Sequence, residues 1–111
     1  MQEQLWQLSA GELQRRYREG SLSPVAAVQA VLARIDAVNP RLNAVVSRRD
    51  AQVLAEAQAS AQRHAQGQPL SPLDGIPITV KDSLYLAGLP TTCGTPALVA
   101  HAPGHDELAA A

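Results

Sequence analysis

The residues best equipped for chemistry fall in one stretch, LDGIPITVKDSLYLAGLPTTCGTPAL, from Leu73 to Leu98. Lys81 ends the apolar run Ile76–Val80 and is followed at once by Asp82 and Ser83. Lysine is strongly hydrated and rarely stands beside a core. One wall of apolar side chains under a Gly/Thr-rich loop would strip that hydration and favour the neutral amine. To serve as a base near neutrality it must fall by about 3 pK units, on the order of 4 kcal/mol of interaction free energy. The plainer reading is a solvated lysine beside Asp82, and spacing alone leaves both open.

Other groups nearby invite weaker readings. Ser83 lies two positions from Lys81 and could form a Ser-Lys dyad, although a loop or capping hydroxyl is the common role. Cys93 with His101 or His105 suggests a thiol nucleophile; a small half-buried cysteine is the ordinary alternative. His101, His105 and Asp106 have a spacing a metal can use, but Pro103 and Gly104 keep them off one helical face, so loop histidines are expected. GIPITVK lacks the G-x-x-x-x-G-K-[ST] of a phosphate loop. His64 falls on the polar side of a helix.

Composition narrows the classes. Nine basic residues against ten acidic ones give a net charge of −1 with no basic stripe, which argues against nucleic acid or an anionic membrane as the direct partner. The start, MQEQLWQLSAGEL, has no charged n-region before an apolar h-region, and no window approaches a membrane span, so a cytoplasmic protein is expected. A single cysteine forms no internal disulfide and has no zinc-ligand companions. Hydrophobic residues make up 46 % of the chain, but many are alanine and Phe is absent, so the core should be thin.

Three helices must position the Lys81 segment. Ser9 and Glu12 form a capping box, Leu8 and Leu13 a hydrophobic staple, and Gly20 a stop, giving a helix over about 10–19. Ser23 caps a second helix with Pro24 in its first turn. Val25, Val28, Val31, Leu32, Ile35 and Val38 then recur at helical spacing to about residue 38, and that face should be buried. Residues 41–46, RLNAVV, suit a strand or an extended connector. DAQVLAEAQASAQRHA predicts a third helix over about 50–66, ended by Gly67. Its alanine stripe suits close helix packing, with an interface as the alternative. Ile76–Val80 reads as a short strand covered on both faces, and Gly88, Pro90, Gly94 and Pro96 punctuate a long ordered loop. Asp106 in HDELAAA has the place of an N-cap, with too few residues after it to nucleate a helix alone. The sequence therefore reads as a fragment of a longer polypeptide. HDEL is no retention signal, since Ala109, Ala110 and Ala111 follow it.

Taken together, Gly75, Ile76, Pro77, Lys81, Asp82, Gly88, Thr91, Thr92, Gly94 and Thr95 resemble the opening half of the amidase signature core: G-[IV]-P, an apolar run, K-D, a spacer, then G-x-x-T-T-x-G-[ST]. The upstream LSPVAAVQAVLARIDAVNPRLNAVV is similar to the helix and connector that precede it, so the likeness extends from about Ser21 onward. Ser83 departs from the Asn that many relatives carry. The resemblance implies a Ser, cis-Ser, Lys triad that hydrolyses a small-molecule amide, with Lys81 as the base and Asp82, Thr92 and Gly94 in support, and with no cofactor or metal. The two serines and oxyanion donors belong to a Gly/Ser-rich block absent from these 111 residues, so the chain alone should be inactive. The implied fold is α/β: N-terminal helices plus the first strands of a large mixed sheet, one incomplete domain over residues 1–111. Alternatives are the amidase-type subunit of a tRNA-dependent amidotransferase, suggested by TTCG, and a non-catalytic interaction module. A homodimer or a partner subunit is open.

Overall fold

A computed structural model describes residues 3–98 and 100–106. It divides the chain into two compact units, the first comprising residues up to Asn43 together with Asp50–Pro77, the second Ala44–Arg49 with the residues from Ile78 onward. Among the described residues no helix is long and apolar enough to cross a membrane.

The first unit holds three helices, α1 (Ala10–Glu19), α2 (Pro24–Leu42) and α3 (Asp50–Ala65), after a 3-10 turn at Leu5–Gln7. Their ends follow from local chemistry. The Ser9 hydroxyl accepts from the Glu12 N–H at 3.1 Å, and Leu8 packs against the buried cluster that includes Leu13. Glu12 does not turn back to close the box. Its carboxylate takes Arg15 and Arg16, which hold its pKa down to about 2. Gly20, at φ 73°, closes α1: its N–H meets the Tyr17 carbonyl and the Ser21 N–H reaches Arg16. The same 6→1 and 5→2 pair recurs at Gly67, with Gln68 on Arg63 and Gly67 on His64.

α2 runs past Asn39 and Pro40 to Leu42. A proline this close to the C-terminus removes one hydrogen bond without breaking the last turn. The stop is Asn43, in the left-handed region at φ 51° with its N–H on the Asn39 carbonyl. Residues 41 and 42 therefore belong to the helix, and 44–49 have no regular secondary structure.

The core is small. Leu13, Tyr17 and Ala27 are its buried heart, with Leu8, Leu22 and Ile76 packed against them. α2 packs on α3, with Val28 and Ala57 buried. The expected burial of the whole α2 face is not met: Val25, Val31, Leu32, Ile35 and Val38 are only half-buried. Alanine-rich neighbours bring backbones close but cover little of a valine. A buried tyrosine needs a partner for its hydroxyl, and Tyr17 donates to the Gly75 carbonyl at 3.0 Å. Burial pushes its phenol up to about 12.

The expected α/β class is overturned. Among the described residues there is no strand, and the structure is helical with loops. The run Ile76–Val80 is extended but not doubly covered, since Ile76 turns onto the α1–α2 core while Ile78 is 76 % exposed. An apolar run makes a strand only when another strand completes its ladder, and none of the described residues does so. The helix foreseen after Asp106 falls outside the described residues.

Gly75 is the tightest backbone point. It sits at φ 87°, and a Cβ there would stand 2.7 Å from Ser60 Oγ and 2.9 Å from Pro24 Cγ. Gly75→Ala should destabilise the chain by about 2 kcal/mol. Gly11→Ala, in open space within α1, should be neutral or stabilise by up to about 1 kcal/mol. Denaturant midpoints of the two variants decide this; equal midpoints would show that Gly75 is not constrained.

Candidate active site

The Lys81 loop lies in the second unit and is organised by hydrogen bonds more than by packing. The Leu84 N–H meets the Lys81 carbonyl at 3.0 Å, a turn that sets the residues after Lys81. The Gly88 N–H bonds Pro103 O at 3.2 Å and the Thr91 N–H bonds His101 O at 2.8 Å, so residues 88–91 run beside 101–103 without forming a ladder. The Asp106 carboxylate accepts from the Ala87 N–H at 2.8 Å.

Asp82 and Thr92 are brought together. Thr92 donates its N–H to one oxygen of Asp82 at 3.1 Å and its hydroxyl to the other. The Asp82 carbonyl accepts from the Cys93 N–H at 3.3 Å. Thr92 to Thr95 is then a tight turn closed by Thr95 N–H on Thr92 O at 2.9 Å, with Cys93 at φ 50° and Gly94 at φ 75°. Both central residues are left-handed, as a type I′ turn requires. Gly94 meets that need freely. Cys93 does not, and non-glycine residues adopt it at a cost of about 1–2 kcal/mol. At this turn Cys93 is exposed, not half-buried.

The electrostatics follow the geometry. The Thr92 hydroxyl and N–H, with a smaller contribution from the Gly94 N–H, stabilise the Asp82 anion and hold its carboxyl below the ordinary range. Lys81 is exposed, and among the described residues its ammonium forms no hydrogen bond or ion pair. The adjacent carboxylate is therefore committed to the Thr92 turn and not to the Lys81 ammonium. Ser83 is exposed as well.

The remaining candidates are placed as follows. His101 and His105 both lie edge-on to Tyr85, with centroids 5.6 and 5.4 Å away. Among the described residues no three His, Cys, Asp or Glu side chains gather as metal ligands. Thr91 is buried, 1 % exposed, with no partner for its hydroxyl among the described residues. Nothing in the Thr-Thr pair distinguishes the buried member from the one that bonds Asp82, except that successive extended residues face opposite ways. His64 has a role its polar-face position did not suggest: its Nε2 lies 2.9 Å from the Asp74 carbonyl and its ring tilts on Tyr17 at 5.3 Å.

The amidase family model matches residues 26–110; the chain belongs to this family. It is 39 % identical over 108 residues to a glutamyl-tRNA(Gln) amidotransferase subunit of Geobacter metallireducens, covering 97 % of this chain and 22 % of that protein. With the indoleacetamide hydrolase of Bradyrhizobium diazoefficiens it shares 42 % over 93 residues, 84 % of this chain and 18 % of the relative. With the acylamidase of Rhodococcus erythropolis it shares 40 % over 87 residues, 78 % and 18 % respectively. The chain thus spans about a fifth of the length of these relatives.

The depressed Asp82 carboxyl makes the turn pH-sensitive in a defined direction. A group whose folded pKa lies below its unfolded value lends stability above the unfolded value, near 3.9, and loses it as pH falls through the folded one. The Thr92 amide resonance should therefore hold constant from neutrality to about pH 4 and shift only below it. Asp82→Asn should abolish that transition; a Thr92 amide that titrates identically in the variant would disconnect the turn from Asp82.

Proposed function

We propose that Lys81 is the general base of an amidase reaction, in which a carboxamide is hydrolysed to a carboxylate and an amine or ammonia. The observation that carries this is the commitment of Asp82 to Thr92. A carboxylate bonded to Lys81 Nζ would favour the charged ammonium and oppose its use as a base; here the neighbouring carboxylate is occupied elsewhere.

In this reading neutral Lys81 Nζ accepts a proton from a relay serine, which takes one from the nucleophilic serine. The nucleophile's oxygen bonds to the amide carbon, backbone N–H donors hold the oxyanion, and the C–N bond breaks as the proton on Lys81 passes back to the leaving nitrogen. Water then hydrolyses the acyl ester with Lys81 again as base. The seven serines of this chain include no adjacent pair, so nucleophile and relay come from sequence beyond these residues. Asp82, Thr92 and Gly94 shape the loop behind Lys81 and do not touch the reacting atoms.

A second reading is favoured by the Geobacter relative, whose similarity covers almost the whole chain: the segment serves the amidase-type subunit of a tRNA-dependent amidotransferase, where the same lysine releases ammonia for transfer. Partner dependence separates the two, because a free-standing hydrolase works without a second polypeptide.

The test is a hybrid enzyme in which residues 26–110 replace the matching segment of the Rhodococcus acylamidase. The hybrid should hydrolyse its amide, and Lys81→Met should lower kcat by on the order of 10²–10⁴-fold with little change in KM. Activity within a few-fold of the parent hybrid after Lys81→Met would remove Lys81 from the mechanism.

A further inference from the structure

We infer that the Asp74–Gly75 peptide is a latent isoaspartate site, held in the aspartyl form by the pairing of Asp74 with Arg63. Of the five aspartates, Asp36 and Asp50 precede Ala, Asp82 precedes Ser, Asp106 precedes Glu, and Asp74 alone precedes Gly. Without a Cβ on the following residue, the backbone nitrogen is open to the aspartyl side chain and the main chain can turn to close a five-membered ring. Among the described residues no acceptor takes the Gly75 N–H. In the rearrangement Gly75 N bonds to Asp74 Cγ, the carboxyl hydroxyl leaves as water with the amide proton, and a cyclic imide results. Water then adds to one of the two imide carbonyls and breaks its C–N bond. Opening at Cγ restores aspartate; opening at the backbone carbonyl routes the main chain through Cγ and leaves the α-carboxylate as the side group. The water lost in the first step is regained in the second, so no other reactant is needed.

What stands in the way is the hold on the electrophile. The Asp74 side chain is only 4 % exposed, and a buried charge is tolerated only where it is paired and fully hydrogen-bonded. Arg63 of α3 takes its two oxygens separately, Nε and Nη2 each at 2.7 Å, and the Leu70 N–H adds a third donor at 3.0 Å. A carboxylate so paired stays ionised, and the anion is a far weaker electrophile than the acid, whose hydroxyl leaves as water. The two-point pair also fixes the carboxylate plane, so Cγ does not swing freely toward the Gly75 nitrogen while both bonds stand. The backbone is held as well: His64 Nε2 lies 2.9 Å from the Asp74 carbonyl, and Tyr17 of α1 donates to the Gly75 carbonyl at 3.0 Å. Ring closure rotates the Asp74 backbone and must break this grip. The isoaspartyl product lengthens the main chain by a methylene at this point, so the modification, once made, removes the pairing that prevented it.

The test ages the 111-residue chain at neutral pH, folded and in urea, and follows isoaspartate in the tryptic peptide that ends at Lys81, by peptide mapping and by isoaspartyl methyltransferase labelling. The folded chain should form isoaspartate more slowly than the unfolded chain by about 10-fold or more, since attack waits on local opening. Arg63→Met, with its helical circular dichroism intact, should raise the folded rate by on the order of 10-fold. Arg63→Lys, which keeps the charge but loses the two-point geometry, should lie between. Leu13→Ala, which weakens the buried core and leaves the clasp in place, should stay nearer the parent than Arg63→Met does. Where Arg63→Met fails to fold, Arg63→Lys is read against Leu13→Ala in its place. Equal rates in the folded and unfolded parent chain, or an Arg63 variant no faster than Leu13→Ala, overturn the inference.

Discussion

A carboxylate taken out of water must be neutralised by its surroundings, and much of the first unit is arranged around doing that for Asp74. Arg63 of α3 provides the charge, and with it stabilises the anion so strongly that Asp74 stays well below the usual carboxylate range. The Leu70 N–H adds to this. Because Arg63 lies in the last turn of α3, the Gly67 stop just beyond it matters: it places Arg63, His64 and the returning chain on one end of the helix. The turn residues, the helix end and the buried acid form one arrangement.

The hydrophobic contribution around it is modest. Leu13, Tyr17 and Ala27 with a few half-buried neighbours make a core far smaller than a chain of this length can hold. Polar contacts therefore decide geometry to a larger degree than usual. Glu3, before α1, joins Arg16, Glu12, Arg15 and Glu19 of α1 in a chain of ion pairs at the surface, of the kind that contributes little each. The Arg63–Asp74 pair differs in having one partner buried, so its loss would strand a charge, which is much the larger penalty.

Local signals were legible where one residue type has one physical use. Ser9, Ser23, Gly20 and Gly67 mark helix ends because a hydroxyl completes an N-terminus and a glycine accepts positive φ, needs that belong to three or four residues at a time. The K-D and T-T-x-G spacing likewise carried the family, since fixed residues at fixed spacing do not depend on distant partners. What escaped was non-local. Whether Ile76–Val80 is a strand depends on a neighbour, and nothing within the run reports one. Pro40 has the signature of a terminator, but the penalty for proline falls near a helix end, and Asn43 supplies the actual stop. His64 and Asp74 carry no signal by position because the contact joining them is made by the fold of the 67–74 turn. Among the site residues the sequence could pair Asp82 with Lys81 by adjacency; it is the folded loop that turns Asp82 toward Thr92.

That turn bears on the chemistry more than any other local feature. Adjacent Lys and Asp residues would most simply form an ion pair, and such a pair is the ordinary way a protein keeps a lysine charged. By giving Asp82 two donors from Thr92 and a further contribution from Gly94, the loop satisfies the carboxylate completely enough that it has no need of the neighbouring cation. The cost is a left-handed cysteine, which the Asp82 carbonyl helps to hold through the Cys93 N–H. Two acceptors of the same residue, its carboxylate and its carbonyl, thus secure a strained turn, and neither is engaged by the adjacent amine.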